Sequence, residues 1–209
     1  MELVLAADPM CSWCYGFGKE LTLLEERRPD ITLKIILGGL RAGATDVLDD
    51  AGKRFRLHHW ERVEEASGLA FNREGLLART GFVYDTEVIC RAVVTARILR
   101  VQADILNVFR AFQHAFYVDA LDTTNGAVLA EVGSRALDAV GHPVSAEEFL
   151  QTWRLRGTIE EAATDFATAR AIGVTSFPAL FIRKEGRLQL VSPGYAKVDE
   201  LDTRLKTQA

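Results

Sequence analysis

Five apolar residues, Leu3 to Ala7, run without interruption into Asp8-Pro9 and then into Cys11-Ser12-Trp13-Cys14. A short apolar run closed by a turn signal reads as a buried strand. A helical segment opens at Cys11, carries Leu21 and Leu24, and stops at Pro29-Asp30. Ile31 to Leu37 follows, rich in β-branched residues and bounded by Gly38-Gly39, as a second strand. Two strands joined by a helix form a right-handed parallel crossover in nearly all cases. The two cysteines fall at its strand-to-helix junction.

From Arg41 to about Gly157 the pattern turns helical, with no strand signal and no internal repeat. Ile105, Val108, Phe109, Phe112 and Phe116 share one helical face, so they are read as core. Val88 to Leu99 and Val128 to Val140 are further helices, and Ser145 to Glu148 is a capping-box start. Thr158-Ile159-Glu160-Glu161 is read as the cap of a helix that ends near Ile172 before Gly173. Ala179–Ile182 and Leu188–Val191 flank Lys184-Glu185-Gly186-Arg187 as a hairpin, and Val198 to Leu205 closes the chain as a helix. The expectation is an α/β fold around a four-stranded mixed sheet, built from residues 1–40 and 158–209, with residues 41–157 as an all-helical insertion.

The chain has 209 residues, of which 48% are hydrophobic, enough for a core without staples. Its net charge of −4 speaks against binding nucleic acid through a basic face. No apolar run reaches bilayer-spanning length, and the N-terminus lacks a basic, signal-like start, so the expected location is cytoplasmic with no membrane partner. Three cysteines do not make a disulfide framework. In a reducing compartment a CxxC pair is catalytic or metal-binding, and tetrahedral zinc needs four ligands that Cys90, His58, His59, His114 and His142 are badly spaced to supply. No metal is expected.

A thiolate, not a thiol, attacks a disulfide, and the start of a helix favours an anion. Cys11 therefore reads as the exposed nucleophile, and Cys14, one turn on and partly buried, as the thiol that resolves a mixed disulfide. Ser12 offers a hydroxyl beside Cys11, and Trp13 offers apolar surface for substrate. In Val174-Thr175-Ser176-Phe177-Pro178-Ala179 a proline leads directly into a strand. Paired with the CxxC, Phe177–Pro178 is expected to be cis and to face Cys11, leaving the backbone of Ser176 and Phe177 free to pair with an extended substrate. Cys90 reads as a small buried core residue, His58-His59-Trp60 as packing for the helical block, Asp8 as a turn former, and Arg41 as a solvated loop residue.

Asp8-Pro9-Met10-Cys11-Ser12-Trp13-Cys14-Tyr15, the Val174–Ala179 loop and the inserted helical block resemble the thioredoxin-like DsbA family, and its predicted cytoplasmic disulfide isomerases more than its secreted oxidase. The resemblance spans nearly the whole chain, with specific motifs over about twenty residues. It implies Cys11 as nucleophile, Cys14 as resolving cysteine and Pro178 as cis proline. It also implies thiol or disulfide proteins or glutathione as partners, and no cofactor beyond the Cys11–Cys14 couple, with glutathione as a co-substrate. The secreted oxidase carries Pro-His between its cysteines; Ser12-Trp13 has no histidine to stabilise a thiolate, which removes that ground for strong oxidising power. Two rival readings share the fold. One is a kappa-class glutathione transferase or hydroxychromene-carboxylate isomerase, which uses a single Ser or Cys and needs no Cys14. The other is a non-catalytic adaptor.

Overall fold

A computed structural model describes residues 1–102 and 104–208. Strand β1 (Glu2–Ala7) leads into α1 (Ser12–Arg27) and β2 (Thr32–Leu37), and β1 and β2 pair in parallel. Six helices follow: α2 (Asp50–Ser67), α3 (Arg73–Leu77), α4 (Glu87–Leu99), α5 (Ile105–Tyr117), α6 (Gly126–Ala139) and α7 (Ala146–Arg154). The chain then returns through α8 (Arg156–Ala171), β3 (Ala179–Lys184), β4 (Arg187–Ser192) and α9 (Val198–Gln208). The sheet has four strands in the order β2-β1-β3-β4, with β3 antiparallel to both β1 and β4. This is the thioredoxin-like α/β arrangement with a helical insertion.

The unbroken apolar run of β1 has a physical cause. Leu3, Leu5 and Ala7 face the main core, while Val4 and Ala6 pack with Ala179 and Phe181 on the opposite face. A strand at the centre of the sheet, covered on both sides, has no solvent side to leave polar. The main core is continuous from these residues to Phe109, Phe112 and Phe116 of α5, so the helices between β2 and α8 share one apolar interior with the sheet. Glu185 and Gly186, both at positive φ, form the two-residue turn between β3 and β4. That backbone matches the twist of the flanking strands.

Two local expectations need correction. The helix expected to be capped by Thr158 begins at Arg156, with Leu155 as N-cap, because only Leu155 separates it from α7. Thr158 instead donates its hydroxyl to the Thr152 carbonyl and ties the two helices together. Helices α2 and α3 were not separable in the sequence: of the 18 residues of α2 only Lys53, Trp60, Val63 and Ser67 are buried, so no apolar stripe announces it. In this stretch an isolated bridge joins Val47 and Val83, in place of any named strand among the described residues.

Candidate active site

Asp8 turns the chain out of β1 by accepting the Met10 N–H at 2.8 Å. Cys11 takes an extended backbone as the N-cap of α1, and its carbonyl accepts the Tyr15 N–H. Its side chain does not cap the helix. The sulfur points across to the 173–178 loop, where Sγ donates to the Phe177 carbonyl at 3.6 Å. The Phe177–Pro178 peptide bond is cis. Cys11 and Cys14 are free thiols, with Cys14 in the first turn of the helix that Cys11 caps.

Both cysteines are more covered than expected: Cys11 is 8% exposed and Cys14 2%. The order is nevertheless the expected one, since Cys11 lines an open cleft and Cys14 lies behind it. Burial, and then the neighbouring Cys11, push the Cys14 thiol well above its ordinary range. A thiol in that state keeps its proton at neutral pH while Cys11 remains the reachable sulfur.

The loop that faces Cys11 depends on Gly38. A Cβ there would lie 2.1 Å from Cζ of Phe177, so only a residue without a side chain leaves room for that ring. Next to it, Gly39 adopts φ +58.

Two grooves flank the cysteines and are divided by Trp13. One, of about 500 Å³, is lined by Cys11, Ser12, Trp13, Arg41, Arg56, His59 and Tyr84, among others. The second, of about 420 Å³, runs along Trp13, Ala66, Ser176, Phe177 and Tyr195. Trp13 packs against Tyr195 with ring centroids 5.7 Å apart, and the Arg62 guanidinium stands 5.7 Å over its ring. Ser176 is exposed, its hydroxyl directed at the Pro193 carbonyl at 3.4 Å. The residues singled out in the sequence, Cys11, Ser12, Trp13, Cys14, Ser176, Phe177 and Pro178, therefore surround one location.

The remaining candidates fare differently. Trp60 is packing, as expected, but His59 faces the first groove, and exposed His58 points toward Glu61. Arg41 is no solvated loop arginine: it lines the groove and holds both oxygens of Asp46 at 2.9 Å. Asp8 is more than a turn former. It is fully buried, and its second oxygen accepts the Leu40 N–H at 2.7 Å and the Cys90 thiol at 3.6 Å. Burial raises its pKa, against hydrogen bonds from Thr86, Met10 and Leu40 that lower it. Cys90 is fully buried, as expected, and serves as one of the donors around this carboxyl.

Two supporting residues had no role in the sequence reading. Tyr84 donates its hydroxyl to the Met10 carbonyl at 2.5 Å and so steadies the turn before Cys11. Glu20, buried on α1, accepts the Tyr195 hydroxyl at 3.0 Å and the Val198 N–H at 2.9 Å, fixing the wall of the second groove and the start of α9. Its signal was available: a carboxylate between Phe17 and Leu24, directly before Leu21 on a face that is otherwise apolar.

No protein-family profile matches the chain, and no curated protein matches it. Solved structures do. A candidate protein disulfide isomerase from Nitrosomonas europaea is 29% identical, with a TM-score of 0.86 over 99% of this chain and 96% of its own. The cytosolic disulfide reductase DsbM from Pseudomonas aeruginosa is 23% identical, with a TM-score of 0.79 over 100% and 98%; its structure with GSH gives 0.76. A DsbA-type oxidoreductase candidate from Streptomyces coelicolor reaches 0.72 at 17% identity over 99% and 89%. More distant is a 2-hydroxychromene-2-carboxylate isomerase, at 0.65 and 11% identity over 100% and 94%. The likeness runs over nearly the whole length of each of these chains: the chain has the thioredoxin-like fold with a helical insertion that DsbA-like proteins share.

Proposed function

We propose that the protein is a thiol–disulfide oxidoreductase of the cytoplasm that uses glutathione as a co-substrate. The observation that carries this reading is the placement of the Cys11 sulfur, at a helix start, lining an open cleft and against the Phe177 carbonyl, with Cys14 buried in the first turn behind it. The Cys11 thiolate attacks one sulfur of a disulfide, forming a mixed disulfide and expelling the other half as a thiolate. Cys14 then gives up its proton and attacks the Cys11 sulfur. The second half leaves, and the Cys11–Cys14 bond closes. Two electrons pass from the dithiol to the substrate, and the two leaving thiolates take up two protons. The reverse sequence oxidises a dithiol substrate.

Three further observations support the reading. The similar DsbM is a cytosolic disulfide reductase known with GSH. No helix among the described residues is long and apolar enough to cross a membrane. Ser176 and Phe177, on the loop that faces Cys11, line a groove that suits an extended substrate strand. The transferase or isomerase reading leaves a second cysteine, Cys14, buried one turn behind Cys11, without a purpose.

A Cys14→Ala variant is expected to accumulate disulfide adducts through Cys11, read by intact-protein mass spectrometry after exposure to glutathione disulfide. If its adducts do not exceed those of a Cys11→Ala control, the proposal fails.

A further inference from the structure

The groove of about 500 Å³ beside Cys11 has a charge pattern that thiol exchange alone does not require. None of its lining residues is acidic. Arg56 stands in its wall, half-buried, with its guanidinium carbon 4.0 Å over the Tyr84 ring. One of its nitrogens donates to the Gly52 carbonyl at 3.0 Å, one turn back on α2. Among the described residues no carboxylate forms an ion pair with it.

The neighbouring carboxylates are already engaged. Asp46 is held by Arg41, and Asp49 accepts the Gly52 N–H at 2.7 Å as the cap of α2. Both line a separate hollow of about 340 Å³, which shares Arg41, Arg56 and Tyr84 with the main groove. Withdrawing a guanidinium partly from water without an anion costs free energy, and its planar fork matches a carboxylate with two parallel hydrogen bonds. A cavity of this size suits a small molecule.

We propose that the groove is a carboxylate-recognition site for the non-reacting end of a small disulfide, with Arg56 as its anchor. The protein thereby prefers acidic low-molecular-weight disulfides to neutral ones. The preference for one disulfide over another rests on the reading of Cys11 as nucleophile. The binding of the carboxylate does not.

The test compares glutathione disulfide with neutral bis(2-hydroxyethyl) disulfide. Each oxidises the reduced protein once, converting the dithiol to Cys11–Cys14 and releasing two thiols. Rapid mixing with Trp13 fluorescence, or acid quench and thiol counting, gives the two rate constants. In parallel, calorimetry measures the affinity for S-methylglutathione, which cannot exchange. Arg56→Gln is expected to slow oxidation by glutathione disulfide about tenfold, equivalent to about 1.4 kcal/mol, and to weaken S-methylglutathione by a similar factor. The rate with the neutral disulfide changes less than about twofold, and Arg56→Lys recovers part of the loss, as a point charge replaces a fork.

The proposal is overturned if S-methylglutathione binds Arg56→Gln and Arg56→Lys as it binds the parent protein, or if it does not bind the parent at all. An equal fall on both disulfides, with an unchanged urea midpoint, also overturns it. If neither disulfide oxidises the parent protein while S-methylglutathione still binds through Arg56, the oxidoreductase reading fails and the carboxylate site stands.

Discussion

Gly38 is where one absent methyl group has the clearest consequence. Replacing it with Ala forces Phe177, and with it the carbonyl that faces Cys11, out of position. The variant is expected to lose about 1–3 kcal/mol of stability, the range for overpacking a filled site. Its Cys11 should also react with a changed rate toward an aromatic disulfide. A Phe177→Ala change on top should recover part of the stability, because the ring is the group displaced, and urea midpoints of the four proteins check that coupling. The cysteines and the Ser176–Pro178 stretch were legible in the sequence because their chemistry is concentrated in short motifs. The roles of Asp8 and Tyr84 were not. Each acts on a group far along the chain, Tyr84 on Met10 and Asp8 on Cys90, and no local spacing announces such a partner.

Helices and strands were legible in proportion to how one-sided their surroundings are. α5 buries Val108, Phe109, Phe112 and Phe116 on one side, and its bounds agree with the apolar repeat within a residue. The hairpin was marked by its Glu185-Gly186 turn. α2 escaped because it touches the core through few residues and is otherwise charged. The start of α8 was misplaced because a Thr-x-x-Glu pattern inside a helix looks the same as one at its beginning. Ser145 shows the pattern where it does work as a cap, accepting the Glu148 N–H at 3.0 Å at the start of α7. Ser145→Ala is expected to cost about 1 kcal/mol, read as a lower urea midpoint, whereas Thr158→Ala removes a tie between helices rather than a cap. If Ser145→Ala leaves the midpoint unchanged, that hydrogen bond contributes nothing to α7.

Because one core runs from the sheet through the helical block, a strained charge anywhere in it affects the stability of the whole protein. Glu25, half-buried on α1 next to Leu24 of that core, is a charge held partly out of water. Burial, and secondarily the nearby Asp104, raise its pKa to about 7. Between the ordinary carboxyl range and pH 7 the folded protein keeps a proton that the unfolded chain has released, so stability falls as pH rises through that window. Below it both states are protonated, and above it the loss is complete. Glu25 is partly solvated, so the effect is on the order of 1 kcal/mol after allowance for screening. Glu25→Gln should remove this component, making the variant more stable than the parent at pH 8 and closer to it at pH 5. Denaturation midpoints at the two pH values measure the difference, and parallel curves for the two proteins would rule it out.

The Phe177 carbonyl that covers the Cys11 sulfur lies 166 residues further along the chain. During translation that distance is an interval of time, roughly 8–30 s at ordinary ribosome speeds. For most of it the leading pair of thiols is outside the ribosome while the loop that carries Phe177 has yet to be made. The growing polypeptide is thus open to indiscriminate capture by any oxidant or stray disulfide nearby, until the segment that carries Phe177 arrives to cover the sulfur.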